Sequence, residues 1–218
     1  MPLRSKVIQN ISSRLDLTED QSEVVEYGYI AFTQILSTVL LVSVLGWLSG
    51  ILWQSLVVLF LSSILRQFSG GAHASRPGIC LLVGTSASLL FAFLAKLINR
   101  LGLSLAATAA IAAVCLVLSY VLVYKKAPVA NPRKPISADK HKRMKKYSLI
   151  TLTVYSTVAS VLIILYGYTR NPNFAEYMFC ILFGTIWQIF NLTLIGHRLL
   201  GKLDSVLNQI LFRKGEKV

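Results

Sequence analysis

Residues 29–68 read YIAFTQILSTVLLVSVLGWLSGILWQSLVVLFLSSILRQF, an apolar run in which Arg66 is the only charged residue. A helix needs about 20 apolar residues to cross the hydrocarbon core of a bilayer, so this run is long enough for two spans. The segment from Gly46 to Gly50 divides it and leaves room only for a tight hairpin. The run therefore predicts a pair of transmembrane helices.

The composition of the whole chain points to the same class of protein. Of its 218 residues, 55% are hydrophobic and 14% are charged, and the mean hydropathy is +0.63. A soluble domain carries about a quarter charged residues, so the sequence predicts an integral membrane protein. The net charge of +13 does not indicate a nucleic-acid partner, because no basic domain with interleaved aromatic residues is visible.

Six apolar stretches predict an all-α bundle of six transmembrane helices. None has Asp or Lys in its middle, and Glu176 lies at an end. The predicted spans are 29–49, 50–68, 78–98, 103–124, 147–168 and 174–195. We expect a single membrane domain over 1–218, in which an amphipathic N-terminal segment (1–28) and an amphipathic tail (196–218) flank the six-helix bundle (29–195).

The placement of positive charge predicts the orientation of the bundle. With six spans and a cytoplasmic N-terminus, 19 of the 22 Lys and Arg residues fall on the cytoplasmic side. Lys96, Arg100 and Arg170 are the three on the outer side. Positive residues collect in cytoplasmic loops and meet anionic lipid there. Both termini and the loop 66–80 are therefore expected in the cytoplasm.

The two ends of the chain have the pattern of amphipathic interfacial helices. Apolar residues recur at helical spacing and are separated by polar ones. Such helices lie in the membrane interface as anchors, although a dock for a substrate is the alternative. The apolar positions are Val7, Ile8, Ile11 and Leu15 in the first segment and Leu199, Leu203, Val206, Leu207, Ile210 and Leu211 in the tail.

The loop at 125–146, KKAPVANPRKPISADKHKRMKK, is strongly basic. Its three prolines predict an extended first half, and its second half is expected to begin a helix capped at Ser137. The positive charge would either contact lipid headgroups or form an electrostatic cradle for an acidic peptide. Candidate residues for that cradle are Lys134, Lys140, Lys142, Arg143, Lys145 and Lys146.

The loop at 66–80, RQFSGGAHASRPGIC, carries the residues suited to covalent chemistry. Gly70 and Gly71 let another backbone approach closely, and His73 is a candidate general base near neutral pH. Cys80 is a candidate nucleophile, expected in the first turn of the third span. Unpaired helix N–H groups and the positive charges of Arg66 and Arg76 would favour its thiolate form.

A Cys–His dyad is sufficient for acyl transfer. Residues seven apart share a face on a continuous helix, but Pro77 and Gly78 argue against continuity, so the spacing alone leaves the distance between His73 and Cys80 open. Gln67, Ser69 and Ser86 are candidates for a third group that orients the imidazole. The structural alternative is an interfacial histidine, a glycine turn and a packed cysteine.

Other site chemistries find less support in the sequence. Cys115 and Cys180 lie in apolar surroundings, and three irregularly spaced cysteines do not form a disulfide framework. A zinc site would need His141 or His197 in addition to His73 and Cys80, and no closely spaced ligand pair is present. No metal or other cofactor is therefore expected. A transporter would more typically show broken or polar helices at mid-membrane.

The pattern R…GGAHA…C, with the cysteine seven residues after the histidine, resembles the accessory gene regulator B (AgrB) family of membrane cysteine endopeptidases. The inner loop KKAPVANPRKPIS, followed by a basic run, is also similar to that family. The resemblance extends over essentially the whole chain. It implies a multi-pass protein of the bacterial cell membrane with its active site on the cytoplasmic side.

The resemblance also implies a function in quorum sensing. The family processes a pheromone precursor that has an amphipathic leader, a central segment with a Cys or Ser, and an acidic C-terminal tail. By the resemblance, Cys80 is the nucleophile and His73 the general base of a thiol protease, and Arg66 and Gly71 match two further positions that matter in the family. The core peptide would leave as a thiolactone or lactone autoinducing peptide, and the enzyme would be a homodimer.

Two rival functions stay open at this stage. In the first, the protein is a small membrane transporter or scaffold without enzymatic activity, and 66–80 is only a connecting loop. In the second, it is a membrane protease that hydrolyses its substrate without closing a ring. Loss of peptide processing in Cys80→Ser would argue against the first function. The product mass tests the second, because a cyclic product is lighter by one water than the linear fragment that hydrolysis gives.

Overall fold

The computed structural model describes residues 18–72, 75–129 and 137–212. These ranges hold seven α-helices and no β-strand. The predicted site residues His73 and Lys134 lie outside them. The helices are α1 (Glu19–Leu48), α2 (Leu52–Ser69), α3 (Pro77–Arg100), α4 (Leu105–Lys126), α5 (Ala138–Thr169), α6 (Pro172–Phe190) and α7 (Leu194–Phe212).

The predicted all-α membrane architecture is confirmed in its main features. The helices α1 to α5 are each long and apolar enough to cross a membrane, and α6 with α7 makes a sixth span if the bent pair is counted as one. The cytoplasmic placement of both termini and the interfacial placement of the two ends stay predictions. So does the division into segments 1–28, 29–195 and 196–218.

The first helix begins earlier than the apolar pattern indicates. Thr18 and Gln21 form a capping box, in which the Thr18 hydroxyl accepts from the Gln21 N–H at 3.4 Å and the Gln21 side chain accepts from the Thr18 N–H at 3.0 Å. Such reciprocal bonds satisfy donors that a helix start leaves unpaired. Residues 19–28 of the predicted N-terminal segment therefore belong to α1.

The predicted sixth span, 174–195, is bent. α6 ends at Phe190 and α7 begins at Leu194, and the two helices meet at 82°. The Thr193 hydroxyl donates to the Phe190 carbonyl at 2.8 Å and accepts from the Gly196 N–H at 3.0 Å. One side chain thus serves the end of one helix and the start of the next, which the continuous apolar pattern does not reveal.

The helix α6 lies at the centre of the bundle and contacts α2, α3, α4 and α5. Eleven of its 19 residues are buried, including Met178 and Cys180. The core around it also contains Val58, Leu65 and Ala159. The remaining helices expose large apolar side chains, as expected for surfaces that face lipid.

A polar cluster around the buried Glu176 ties three helices together at the hairpin end of the bundle, defined by the turns at 49–51, 101–104 and 170–171. The Glu176 carboxylate accepts from the Gln54 amide at 2.6 Å and from the Asn99 amide at 2.9 Å. Lys96 donates to the Gly50 carbonyl at 2.9 Å. The candidate catalytic residue Cys80 lies at the opposite end, which we call the loop end and define by 70–72, 75–76, 127–129 and 191–193.

Candidate active site

The loop between α2 and α3 is held in a conformation that requires glycine. Gly70 has φ +69° and Gly71 has φ +132°, both in the region that other residues rarely adopt. A Cβ on Gly70 would overlap the Val129 carbonyl oxygen. A Cβ on Gly71 would lie 3.2 Å from the Asn191 carbonyl oxygen. Both predicted glycines are therefore packed against other parts of the chain.

Gln188 of α6 supports this loop from inside the bundle. Its amide donates to the Gly70 carbonyl at 2.7 Å and to the Ser69 hydroxyl at 2.9 Å, and the Ser69 hydroxyl donates to the Leu65 carbonyl at 2.8 Å. The Gln188 side chain is only 1% exposed. A buried amide is retained where it has such partners, so Gln188 fixes the end of α2 and the glycine turn together.

Asn191, one turn further along the chain, holds the next residue of the loop. Its carbonyl oxygen accepts a hydrogen bond from the Ala72 N–H at 3.2 Å. Its side-chain amide donates to the Trp187 carbonyl at 2.7 Å. The Asn191 Oδ1 atom is buried and has no hydrogen-bond partner among the described residues. Sequence reasoning missed both Gln188 and Asn191.

Arg66, near the end of α2, forms a hydrogen bond with the loop that follows this helix. Its guanidinium donates to the Ala72 carbonyl, six residues along the chain. The Arg66 side chain is half-buried at the end of α2. The end of α2 and the turn that follows it thus bring together the predicted supporting residues Arg66, Gly70 and Gly71.

The basic inner loop lies against the same turn. The Val129 N–H donates to the Ser69 carbonyl at 2.9 Å, and Gly70 and Val129 form an isolated parallel bridge. Ala127 and Pro128 are buried beside it. The two sequence stretches that carry the family resemblance, 66–80 and 125–137, are therefore in contact.

Cys80 lies where the sequence predicts, in the first turn of a helix. α3 begins at Pro77, and the Cys80 N–H donates to the Arg76 carbonyl at 3.2 Å. Within the described part of the chain, the N–H groups of Gly78 and Ile79 have no acceptor. Cys80 therefore lies in the same first turn as these two N–H groups, and its side chain is half-buried.

The C-terminal helix reaches the other half of the loop. Asp204 Oδ1 accepts from the Ser75 N–H at 3.0 Å and from the Ser75 hydroxyl at 3.1 Å. The Asn208 amide donates to the Ser75 hydroxyl at 2.7 Å. Sequence reasoning did not single out these residues, although two polar side chains four apart in an apolar tail were a visible signal.

The predicted basic residues that the structure describes lie on the first turns of α5. Lys140, Lys142, Arg143 and Lys146 are exposed. Lys145 is half-buried, with its ammonium 4.2 Å from the centre of the Tyr124 ring. The exposed cations form a positive surface that begins where the inner loop ends. Lys134 and the predicted base His73 fall outside the described ranges.

These observations define a multi-span helical membrane protein with a cysteine site at one end of its bundle. The family profile described as Accessory gene regulator B matches residues 4–192. The chain belongs to the AgrB family.

Two curated proteins of Clostridium perfringens are similar to it over nearly their whole length. A protein of strain 13 (type A), named AgrB-like protein 2, is 38% identical over 210 residues, which cover 95% of this chain and 98% of that protein. An AgrB-like protein of strain SM101 (type A) is 37% identical over 209 residues, with the same coverage. No solved structure matches the chain.

Proposed function

We propose that this protein is a membrane cysteine endopeptidase that removes the C-terminal tail of a pheromone precursor and closes the remaining peptide into a ring. The position of Cys80 carries the proposal. Its half-buried side chain lies in the first turn of α3, where the N–H groups of Gly78 and Ile79 have no backbone acceptor among the described residues. The AgrB family match and the loop that Arg66, Gly70 and Gly71 build ahead of it support the same conclusion.

In the first step, the Cys80 sulfur attacks the carbonyl carbon that precedes the precursor's tail. His73 takes the thiol proton, a C–S bond forms, and the carbonyl oxygen becomes an oxyanion. The N–H groups of Gly78 and Ile79 stabilise that charge; loss of one such donor typically lowers the rate about 100-fold or more. The C–N bond then breaks, and the proton passes from His73 to the leaving amine.

In the second step, a thiol within the bound peptide attacks the Cys80 thioester. A new thioester closes the ring, and the Cys80 thiol is regenerated with the proton of the attacking group. The free energy of exchanging one thioester for another is close to zero. The unfavourable free-energy change therefore lies in the first step, which converts an amide to a thioester. Release of the tail draws the reaction forward, and exclusion of water prevents a linear product. A hydroxyl in place of the thiol would give a lactone.

The basic surface and α7 supply the contacts for capture of the precursor. The cations of α5 attract an acidic tail, and Lys134 in the adjoining loop adds to them. α7 turns away from α6 by 82° and exposes Leu199, Val206 and Ile210, which supports a place in the cytoplasmic interface next to anionic lipid. A precursor leader on the same surface would meet the enzyme by diffusion in two dimensions.

Reconstitution tests this function directly. Purified protein in liposomes would be given the amphipathic peptide encoded beside its gene, and the products would be weighed by mass spectrometry. We expect tail release and a core peptide lighter by one water than its linear form. Cys80→Ala and His73→Ala should abolish both products.

Cys115→Ala is the matched control, since Cys115 lies in α4 outside the site. It should retain activity. Tail release that survives without Cys80 would refute the catalytic assignment. Tail release with a linear product would identify a hydrolysing protease, and no reaction from any form would favour a transporter or scaffold.

A further inference from the structure

We propose that Asp204 and Asn208 of α7 are positioning residues, which hold the loop between α2 and α3 in the form that the reaction needs. This inference deepens the proposed function and rests on it. It concerns the C-terminal helix, whose residues carry none of the reacting groups named above.

The contact joins one loop residue to two side chains of α7. Asp204 Oδ1 accepts from both the N–H and the hydroxyl of Ser75, at 3.0 and 3.1 Å. The Ser75 hydroxyl in turn accepts from the Asn208 amide at 2.7 Å. Side chains four apart lie on one face of a helix, so α7 presents both to the same residue. The backbone and side chain of Ser75 are fixed together.

The position of Ser75 in the sequence explains why this contact affects catalysis. It follows the proposed base His73 by two residues and precedes the α3 start at Pro77 by two. Arg66 and Asn191 hold Ala72 on one side of this short segment. Asp204 and Asn208 hold Ser75, so the described residues on either side of the proposed base, Ala72 and Ser75, are both held by hydrogen bonds to other parts of the chain.

The opposite face of α7 links this contact to the membrane. Leu199, Leu203, Val206 and Ile210 are exposed at a spacing of three and four, which is one helical face. The loop contact therefore lies on a helix whose other face is free to enter the interface. Changes at the polar face should alter the site without removing any part of the buried core around α6.

The key comparison is Asp204→Ala against Asp204→Asn. Asparagine keeps an oxygen that accepts from Ser75, whereas alanine does not. We expect Asp204→Ala to lower kcat for tail release by about tenfold and to leave KM for the precursor unchanged. Asp204→Asn should retain most of the rate. Asn208→Ala and Ser75→Ala should each cost less, and their combination should cost less than the product of the two losses.

The controls are Ser205→Ala and Gln209→Ala, which remove exposed polar side chains of the same helix. Both should match the wild type. An Asp204→Ala protein as active as these controls would overturn the proposal. An Asp204→Asn protein as damaged as Asp204→Ala would also overturn it, because the carboxylate charge and not the hydrogen bonds would then matter.

A second readout does not depend on turnover. The rate at which a small maleimide alkylates Cys80 can be followed by mass spectrometry of the Cys80 peptide in intact, membrane-embedded protein. We expect a changed rate in Asp204→Ala, because loss of the contact alters both the access to Cys80 and the position of the base that takes its proton, and an unchanged rate in Gln209→Ala. An unchanged rate in Asp204→Ala would contradict the positioning role. Absence of tail release from the wild type would instead refute the proposed function. The alkylation rate of Cys80 would still test whether the contact between Ser75 and Asp204 holds the loop.

Discussion

The side-chain amide of Gln188 donates to the carbonyl of Gly70 at 2.7 Å, across 118 positions of sequence. This bond joins the last turn of the central helix to the glycine turn that precedes the proposed catalytic residues. Gln188 is 1% exposed and its second partner, Ser69, is fully buried, so both side chains lie away from solvent. The arrangement makes α6 the support of the site as well as the centre of the bundle.

Gln188→Met should therefore weaken both fold and activity. Methionine fills a similar volume but removes the amide that donates to the Gly70 carbonyl and to the buried Ser69 hydroxyl, and a buried group left without its partner costs about 1–3 kcal/mol. We expect a lower Tm in detergent and a larger loss in tail release. Gln34→Met is the control, because the Gln34 side chain makes no hydrogen bond within the described part of the chain. Equal effects of the two substitutions would show that the bond to Gly70 is unimportant.

Gly70→Ala should be among the most damaging single changes at the loop end. Its φ of +69° and ψ of −150° fall in a region that is essentially restricted to glycine and costs another residue about 1–3 kcal/mol, and the new Cβ would overlap the Val129 carbonyl oxygen. We expect loss of most tail release, measured by mass spectrometry at equal protein amounts.

Gly84→Ala provides the contrast, since a Cβ there meets nothing within 4 Å. It lies inside α3, where alanine is the better helix former. Activity and Tm should match or exceed the wild type. Wild-type activity in Gly70→Ala would mean that the inner loop can move away without harm to the site.

Neutralising the exposed cations of α5 should weaken capture of an acidic precursor. The variant replaces Lys140, Lys142, Arg143 and Lys146 by Gln. We expect a raised KM at low salt and a smaller difference at high salt, because the Debye length falls from about 10 Å at 0.1 M to about 3 Å at 1 M. Arg100→Gln, at the hairpin end, should not change KM. A loss independent of salt would indicate a structural role.

Glu176→Leu should destabilise the bundle far from the site. It removes the acceptor of the half-buried Gln54 and Asn99 amides, and each such hydrogen bond contributes about 0.5–1.5 kcal/mol. We expect a lower Tm and, below that temperature, unchanged ratios of cyclic to linear product. Glu23→Leu, at an exposed position of α1, is the control. A changed product ratio would mean that the hairpin end influences the chemistry.

Local features of the sequence account for much of the fold. The apolar runs predict the spans because hydrocarbon accepts only long apolar helices. Pro77 predicts the start of α3, and hence Cys80 in its first turn, because proline suits the first position of a helix. Ser137 predicts the start of α5, and the helix does begin at Ala138, although no hydrogen bond from the Ser137 side chain caps it.

The residues that hold the site were not predictable in the same way. Gln188 and Asn191 have no motif, and their role follows only from the meeting of α6 with the α2–α3 loop. The bend at 191–193 depends on the hydrogen bonds of Thr193, and a threonine in an apolar run does not by itself predict a bend. Asp204 and Asn208 look like ordinary polar positions of an amphipathic tail until Ser75 is placed against them.

From the residues alone follow the membrane class, most helix boundaries and the two stretches that resemble the AgrB family. Each depends on local chemistry: apolar length, proline and glycine geometry, and a short motif. The contacts of Gly70 with Val129 and Gln188, and of Ser75 with Asp204, were decided only by the packing of the helices. Their partners lie tens of residues apart, and hydrogen bonds over such separations exist only once the core around α6 has brought the ends of the helices together.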